Sequence, residues 1–301
     1  MRAVVTGGAG FIGSHLVDAL VARGDEAHVL DNFATGRREN LNAGATVHEH
    51  DIREPLDDLF GEIRPDRVFH LAAQADVGTS VDKPIFDGEV NVLGTLRVLE
   101  GARAHGATVV FSSTGGAIYG ECPEPAREDK EREPLSPYGT SKLCGEEYLA
   151  TWNRLHGTRH VALRFGNVFG PRQLAKLEGG VIAIFMDRLR AGETATIFGD
   201  GEQERDFVYV GDVVRALLAA AEATEPGTFN VGTGVATSVN DLWRACAEAA
   251  GGGGEPEYGP PRAGDLRRSV LDVSRAREAL GWEPQVSLEQ GLRETWESGA
   301  A

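Results

Sequence analysis

Tyr138-Gly-Thr-Ser-Lys142 sets a phenol and an ammonium four residues apart, a spacing that puts both on one face of a helix. The pairing has a chemical use. A phenol titrates near ~10 and is a poor base at neutral pH, but a neighbouring cation favours the phenolate and draws that value toward the working range. The chain has five tyrosines, and only Tyr138 has a lysine at this distance, so the spacing is selective. Upstream, Phe111-Ser112-Ser113-Thr114 reads as a strand end at the carboxyl edge of a sheet, where doubly wound folds bind their ligands. A hydroxyl there orients the oxygen that loses its proton, although the same run also suits a simple turn.

A second constellation lies at the amino end. The strand Arg2–Thr6 runs into Thr6-Gly-Gly-Ala-Gly-Phe-Ile-Gly13 and then into a helix opening near Phe11. Gly7, Gly10 and Gly13 serve a tight turn, close backbone approach to a pyrophosphate and packing of the helix on the strand, with the positive helix end facing the anion. Asp31 follows Gly13 by 18 residues, close to the spacing at which a carboxylate accepts from the adenosine ribose hydroxyls. The cofactor expected is therefore NAD. Arg37 and Arg38 would suit a 2′-phosphate, but the carboxylate of Asp31 would repel one.

These groups need a scaffold that places strand ends side by side. Short β-branched runs alternate with amphipathic stretches through the first half, the pattern of a parallel sheet covered by helices on both faces. Strands are expected at Arg2–Thr6, Glu26–Leu30, Thr46–His50, Arg67–Leu71, Thr108–Ser112 and His160–Arg164, and helices at about 11–23, 82–105 and 136–156. Asp82 with Pro84, and Ser136 with Pro137, read as N-caps followed by a first-turn proline. The charged, proline-rich run from Glu121 to Pro134 reads as a solvated connection. The expected fold is α/β: a Rossmann-type doubly wound parallel sheet over 1–165, then a smaller substrate-binding region over 166–301 with some segments returning to the first domain.

Composition bounds the partners. At 301 residues and 41% hydrophobic content the chain can bury a core. Its formal charge of −16 opposes binding to nucleic acid or anionic membrane, so an anionic ligand must meet a local cluster of arginines. Glycines interrupt any leader-like stretch at the amino end, and no run is long and apolar enough to span a bilayer; a cytoplasmic location is expected. Cys122, Cys144 and Cys246 are widely separated and form neither a metal signature nor a disulfide framework. His48 and His50, flanking Glu49, read as one solvent-facing side of a strand, and no metal site is expected.

Taken together, Thr6–Gly13, His70-Leu-Ala-Ala-Gln74, Asn91-Val-Leu-Gly-Thr95, Ser112-Ser-Thr-Gly-Gly-Ala-Ile-Tyr-Gly120, Tyr138–Lys142, Arg164-Phe-Gly-Asn-Val-Phe-Gly-Pro-Arg172 and Gly199-Asp-Gly-Glu-Gln-Glu-Arg-Asp206 cover nearly the whole chain. In them it resembles the extended short-chain dehydrogenase/reductase family and, within it, the UDP-glucose 4-epimerase branch. The resemblance implies C4 epimerisation of a UDP-hexose through a transient 4-keto sugar, with NAD as a reusable oxidant and Tyr138, Lys142 and Thr114 as the catalytic groups. It implies that Gly7, Gly10, Phe11, Ile12, Gly13, Asp31, Asn32, Asp51 and Ile52 line the NAD site, together with Leu71, Ala72, Ala73, Asn91, Ser112, Tyr138 and Lys142. For the UDP-sugar it implies Gln74, Thr114, Asn167, Arg205, Arg262, Asp265 and Ser269. The arginines also make physical sense, because a pyrophosphate on so acidic a chain needs forked, permanent cations.

Local features narrow the chemistry that the resemblance implies. Gly115 and Gly116 stand where related dehydratases and decarboxylases carry an acid, which disfavours elimination and decarboxylation. Ser269 matches a position where a bulky aromatic excludes 2-acetamido sugars, so UDP-GlcNAc and UDP-GalNAc are expected to fit beside UDP-Glc and UDP-Gal. The strand-end motif has one extra residue between Thr114 and Tyr119, leaving Ser113 as an alternative to the favoured Thr114. The stretch from Leu174 to Leu177 is less polar than in relatives, which would alter a lid over uracil. Helices 82–105 and 136–156 would pair across a homodimer two-fold, although their apolar faces equally suit packing on the sheet. A UDP-glucuronate 4-epimerase, a 4-keto-sugar reductase and a non-catalytic dinucleotide sensor are the other readings.

Overall fold

Val4, Val5, Val29, Val68, Val109 and Val110 are wholly buried, as expected of strands covered on both faces, which read as continuous apolar runs. They lie in a set of strands comprising β1 (Arg2–Thr6), β2 (Glu26–Asp31), β3 (Thr46–Glu49), β4 (Arg67–His70), β5 (Thr108–Thr114) and β6 (Val161–Phe165). A seventh strand, Gly227–Val231, comes back from the carboxyl half. The seven form one parallel sheet in the order Gly227–Val231, β6, β5, β4, β1, β2, β3. The chain winds one way from β1 and the other way from β4, so the crevice beyond the carboxyl ends of these two neighbours is the switch point. This is a computed structural model, and it describes residues 1–175, 180–262 and 264–299.

Helices α1 (Phe11–Ala22) and Val210–Ala221 supply one apolar layer on the sheet. On the other face lie α2 (Asp57–Ile63), with the helices Thr95–Ala104 and Pro137–His156. A third cluster joins Phe185, Trp243 and Leu292 beyond the sheet, in the carboxyl half. Pro137–His156 starts as the sequence indicates: Ser136 accepts from the Gly139 amide at 3.2 Å and Pro137 occupies the first turn.

The expected helix over 82–105 is broken. Asp82 closes the short helix α3 (Val77–Asp82), and the residue that caps it is Asp76, whose carboxylate accepts from Thr79 N at 2.7 Å. Pro84 then opens α4 (Pro84–Gly88), with Lys83 at φ −134°, ψ 62° between them. Proline disfavours helical geometry in the residue before it, so no single helix can pass through Lys83. A π-helical turn, Glu89–Gly94, follows and leads into α5 (Thr95–Ala104).

Two other expectations are corrected. The run from Glu121 to Pro134 is a strap: Glu121 accepts from the amides of Arg267 and Arg268 at 2.8 and 2.7 Å. Farther along, Ala126 is buried and exchanges backbone bonds with Val270 and Asp272. Its charged residues satisfy backbone donors of the carboxyl half, which a composition-based reading cannot see. His48 stacks on His28 of the next strand, with 3.0 Å between Nδ1 of His28 and Nε2 of His48, so it does not simply face solvent. Among the described residues no metal-binding group of histidines, cysteines and acids occurs, and no helix is long and apolar enough to cross a membrane.

Candidate active site

A cleft of about 880 Å³ opens over the carboxyl ends of β1, β4 and β5. At its floor, Gly7 has φ +71°, a conformation that L side chains rarely adopt, and a β-carbon on Gly13 would lie 2.1 Å from the Gly7 carbonyl oxygen. The turn is therefore closed against any larger residue. No side chain caps α1, and Gly10, Phe11, Ile12 and Gly13 line the cleft, so its first-turn amides offer an anion site. Asp31 ends β2 with one oxygen 2.9 Å from Ala9 N and the other 2.8 Å from Phe33 N. Burial pushes its carboxyl up, against those two amides. Arg38 is paired with Glu49 and Arg37 with Glu39. A tight glycine cradle, uncapped amides and a carboxylate at the end of β2 together fit a dinucleotide.

Asn32 donates to Asp51 at 2.9 Å, and the guanidinium of Arg53 holds Asp51 well below the usual carboxylate range. Ile52, Leu71, Ala72 and Ala73 complete this wall. The turn and the end of β4 are fixed together by Thr6, whose hydroxyl accepts from Ala72 N at 3.1 Å and meets His70 Nδ1 at 2.8 Å. His70 is buried and reaches Thr95 through Nε2 at 2.9 Å; burial first and the Lys142 charge second push it down to about 3.

The phenol of Tyr138 and the ammonium of Lys142 stand at the same cleft, below the end of β5. Thr114 is the hydroxyl that favours ionisation of the Tyr138 phenol, whereas the hydroxyl of Ser113 donates at 2.5 Å to buried Glu146. Ser113 lines the cleft but its hydroxyl is committed to Glu146, while Thr114, off the cleft surface, is the hydroxyl that acts on the phenol. Lys142 is 3% exposed; its Nζ donates to the Ser112 carbonyl at 2.9 Å and lies 4.9 Å from the Phe111 ring centre. Burial, rather than Lys142, sets the direction for the phenol in this structure. Burial pushes Tyr138 up to about 12, and burial lowers Lys142 to about 8. Desolvation outweighs attraction because the ammonium is turned to a carbonyl and a ring face.

At the far end of the cleft Arg205 is paired with Asp265, and Arg262 lies over the Phe198 ring at 4.1 Å. Asn167 and Gln74 line the space between. Both amide atoms of Gln74 are already used, Nε2 by the Asp76 carbonyl and Asp87, Oε1 by Asp76 N. Three expected residues are absent from the cleft surface: Thr114, Asn91 and Ser269. Asn91 is buried behind the wall, donating to Gln74 O, Asp87 and Ser141. Ser269 is 6% exposed on a short strand beside Arg205, not on the cleft surface. The altered lid expected over Leu174 to Leu177 lies partly outside the described residues, which stop short of Lys176 and Leu177.

Sequence reading missed Arg53, Phe198 and Asp87. Asp87 did carry a signal, since it lies four residues before Asn91 and so shares its helical face. Phe198 directly precedes the Gly199 motif.

The model of the NAD dependent epimerase/dehydratase family matches residues 3–232. The chain belongs to this family. It is 47% identical to the UDP-glucose 4-epimerase of Mycolicibacterium smegmatis over 99% of this chain and 98% of that one. The crystal structure of a Thermotoga maritima UDP-glucose 4-epimerase with UDP-glucose superposes with a TM-score of 0.97 at 48% identity, covering 99% of this chain and 98% of that one. A Thermus thermophilus UDP-glucose 4-epimerase in complex with NAD gives 0.93 at 47% identity, with the same coverage. NAD is the cofactor of this epimerase/dehydratase family, and the glycine turn, α1 and Asp31 are the residues that would hold it.

Proposed function

We propose that this chain is a UDP-hexose 4-epimerase that interconverts UDP-glucose and UDP-galactose, and also accepts the 2-acetamido pair. The observation that carries the reading is that Tyr138 and Lys142 line the same cleft as the dinucleotide turn. Support comes from full-length relatives named UDP-glucose 4-epimerase at 47 and 48% identity. In this reading residues 1–165 hold the dinucleotide and 166–301 mainly the UDP-sugar, with Val210–Ala221 and Gly227–Val231 returning to the first domain.

Thr114 holds the C4 hydroxyl and the Tyr138 oxygen takes its proton. When bound, NAD supplies the reversible hydride acceptor and a positive ring near the phenol. Lys142 keeps Tyr138 oriented through the helix and, as a cation, favours the phenolate. The C4 hydrogen leaves with its electron pair, giving a 4-keto sugar. Rotation of that sugar presents its other face, the hydride returns, and Tyr138 gives the proton back. Arg205 and Arg262 grip the pyrophosphate while the hexose turns. A β-carbon on Gly115 would lie 2.6 Å from the Leu271 side chain, and Gly116 offers no acid, which disfavours elimination and decarboxylation.

The reading includes a homodimer. Val81, Ile85 and Leu93 are exposed apolar side chains on the broken helical stretch that packs beside Pro137–His156, and a two-fold contact there would bury them. The three free cysteines suit a reducing cytoplasm.

The test is incubation of purified protein with UDP-glucose, UDP-GlcNAc and UDP-glucuronate separately, without added NAD, followed by chromatographic separation. Turnover of the two neutral sugars is expected. Turnover of the glucuronate alone refutes the substrate assignment, and a strict need for added NAD with net reduction refutes epimerisation.

A further inference from the structure

Behind the cleft wall, Asp87 on α4 is 1% exposed and is absent from the cleft surface. Its Oδ1 accepts from Gln74 Nε2 and Asn91 Nδ2, both at 3.0 Å. Asn91 in turn donates to the hydroxyl of Ser141 at 3.1 Å, and Ser141 donates to the backbone carbonyl of Tyr138 at 3.0 Å. A hydrogen-bond chain therefore runs from Asp87 into the helix that carries the phenol. Asn91 sits in the π-helical turn Glu89–Gly94, a widened geometry frequent at functional sites.

Two amide donors would be satisfied by a neutral acceptor, and burying a carboxylate is costly unless a cation repays it. Among the described residues no lysine or arginine forms an ion pair with Asp87. Lys142, buried like Asp87, sits on the helix Pro137–His156 that packs against α4, and the Asp87 charge raises its titration. The other carboxylate near Lys142, Glu146, is committed elsewhere: Arg164 donates to it through Nε at 2.9 Å and Nη2 at 2.6 Å, and Ser113 adds a third donor.

We propose that Asp87 is the counter-charge of Lys142 and a positioning residue for the Tyr138–Lys142 pair, holding the Gln74–Asn91–Ser141 chain against the catalytic helix. The proposal rests on the assignment of that pair as the reacting groups. The charged and titratable groups around it are Tyr138 and Glu146 on its own helix, His70 on β4, Arg164 on β6 and Asp87 on α4. Glu146 is neutralised by Arg164, and His70 is uncharged when buried. Asp87 raises the titration of both Lys142 and Tyr138, so removing its charge makes both lose their protons at lower pH.

The experiment records the pH profile of kcat for UDP-galactose conversion in the parent and in Asp87→Asn, Asp87→Ser and Asp87→Glu, with bound dinucleotide content and Tm measured on each. Both limbs of the bell are expected to move to lower pH by about one unit in the two neutral variants, with dinucleotide content unchanged. Asp87→Glu keeps the parent's limbs even where its rate falls. Limbs that stay in place in a folded neutral variant overturn the proposal, as does failure of both neutral variants to fold while Asp87→Glu folds, which assigns the charge to folding. Tyr138→Phe is run alongside. If it works as fast as the parent, the assignment of the phenol itself falls and takes this inference with it; if it is inactive and the Asp87 limbs do not move, the inference alone falls.

Discussion

His70 lies between the hydroxyls of Thr6 and Thr95, buried and neutral. Its folded value, about 3, is far below the ~6.5 of the unfolded chain. Between these limits the unfolded state binds a proton that the folded state refuses, so stability is full above ~6.5 and falls as pH drops toward 3. The contribution is up to about 1.4 kcal/mol per pH unit. His160, lowered to about 4 by burial, adds to the same slope. Urea denaturation of the parent and of His70→Gln between pH 7 and 4 should show a shallower loss in the variant; equal slopes would count against a neutral buried His70. The same competition explains Tyr138. A phenol beside a cation is legible as a pair in sequence, but how far each is desolvated depends on what covers it, and here burial dominates.

The glycine turn is an element whose shape excludes substitution. A methyl at position 13 would collide with the Gly7 carbonyl at 2.1 Å, so Gly13→Ala must push α1 away from β1. We expect loss of most bound NAD, read from the absorbance ratio of the purified protein, and a stability loss of about 1–3 kcal/mol by denaturant titration. Full dinucleotide content in Gly13→Ala would contradict this account of the cradle. The stretch 77–104 gives the opposite lesson. Apolar periodicity suggested one helix starting at Asp82, whereas the chain breaks at Lys83, Pro84 opens a new helix, and the π turn that follows buries Asn91 behind the wall. Asn91 was legible as important, and its distance from the cleft was not, because a local widening of the helix re-aims side chains in a way that spacing does not encode.

Both halves of the chain line the cleft: the glycine turn and the Tyr138–Lys142 pair come from the first, Asn167, Arg205, Arg262 and Asp265 from the second. The seventh strand and the Glu121–Pro134 strap tie these halves into one body. The surface left over includes Ile85, 78% exposed. Ile85→Asp places a charge in the proposed two-fold contact and should convert a dimer into a monomer in analytical ultracentrifugation; a sedimentation coefficient equal to the parent's would remove this face from the interface.

The parallel sheet, the dinucleotide turn, Asp31 and the Tyr138–Lys142 pair could all be read from the order of residues, because they depend on local spacing, backbone freedom and the period of apolar side chains. Other features follow from which elements meet in three dimensions. Ser113 is bound to Glu146, which leaves Thr114 to act on the phenol, Ser269 pairs with Arg205 on a short strand, and Asp87 becomes buried on a helix packed against the one that carries Lys142. Each of these rests on contacts across tens of residues, which set both the direction of a side chain and the dielectric in which its charge must exist.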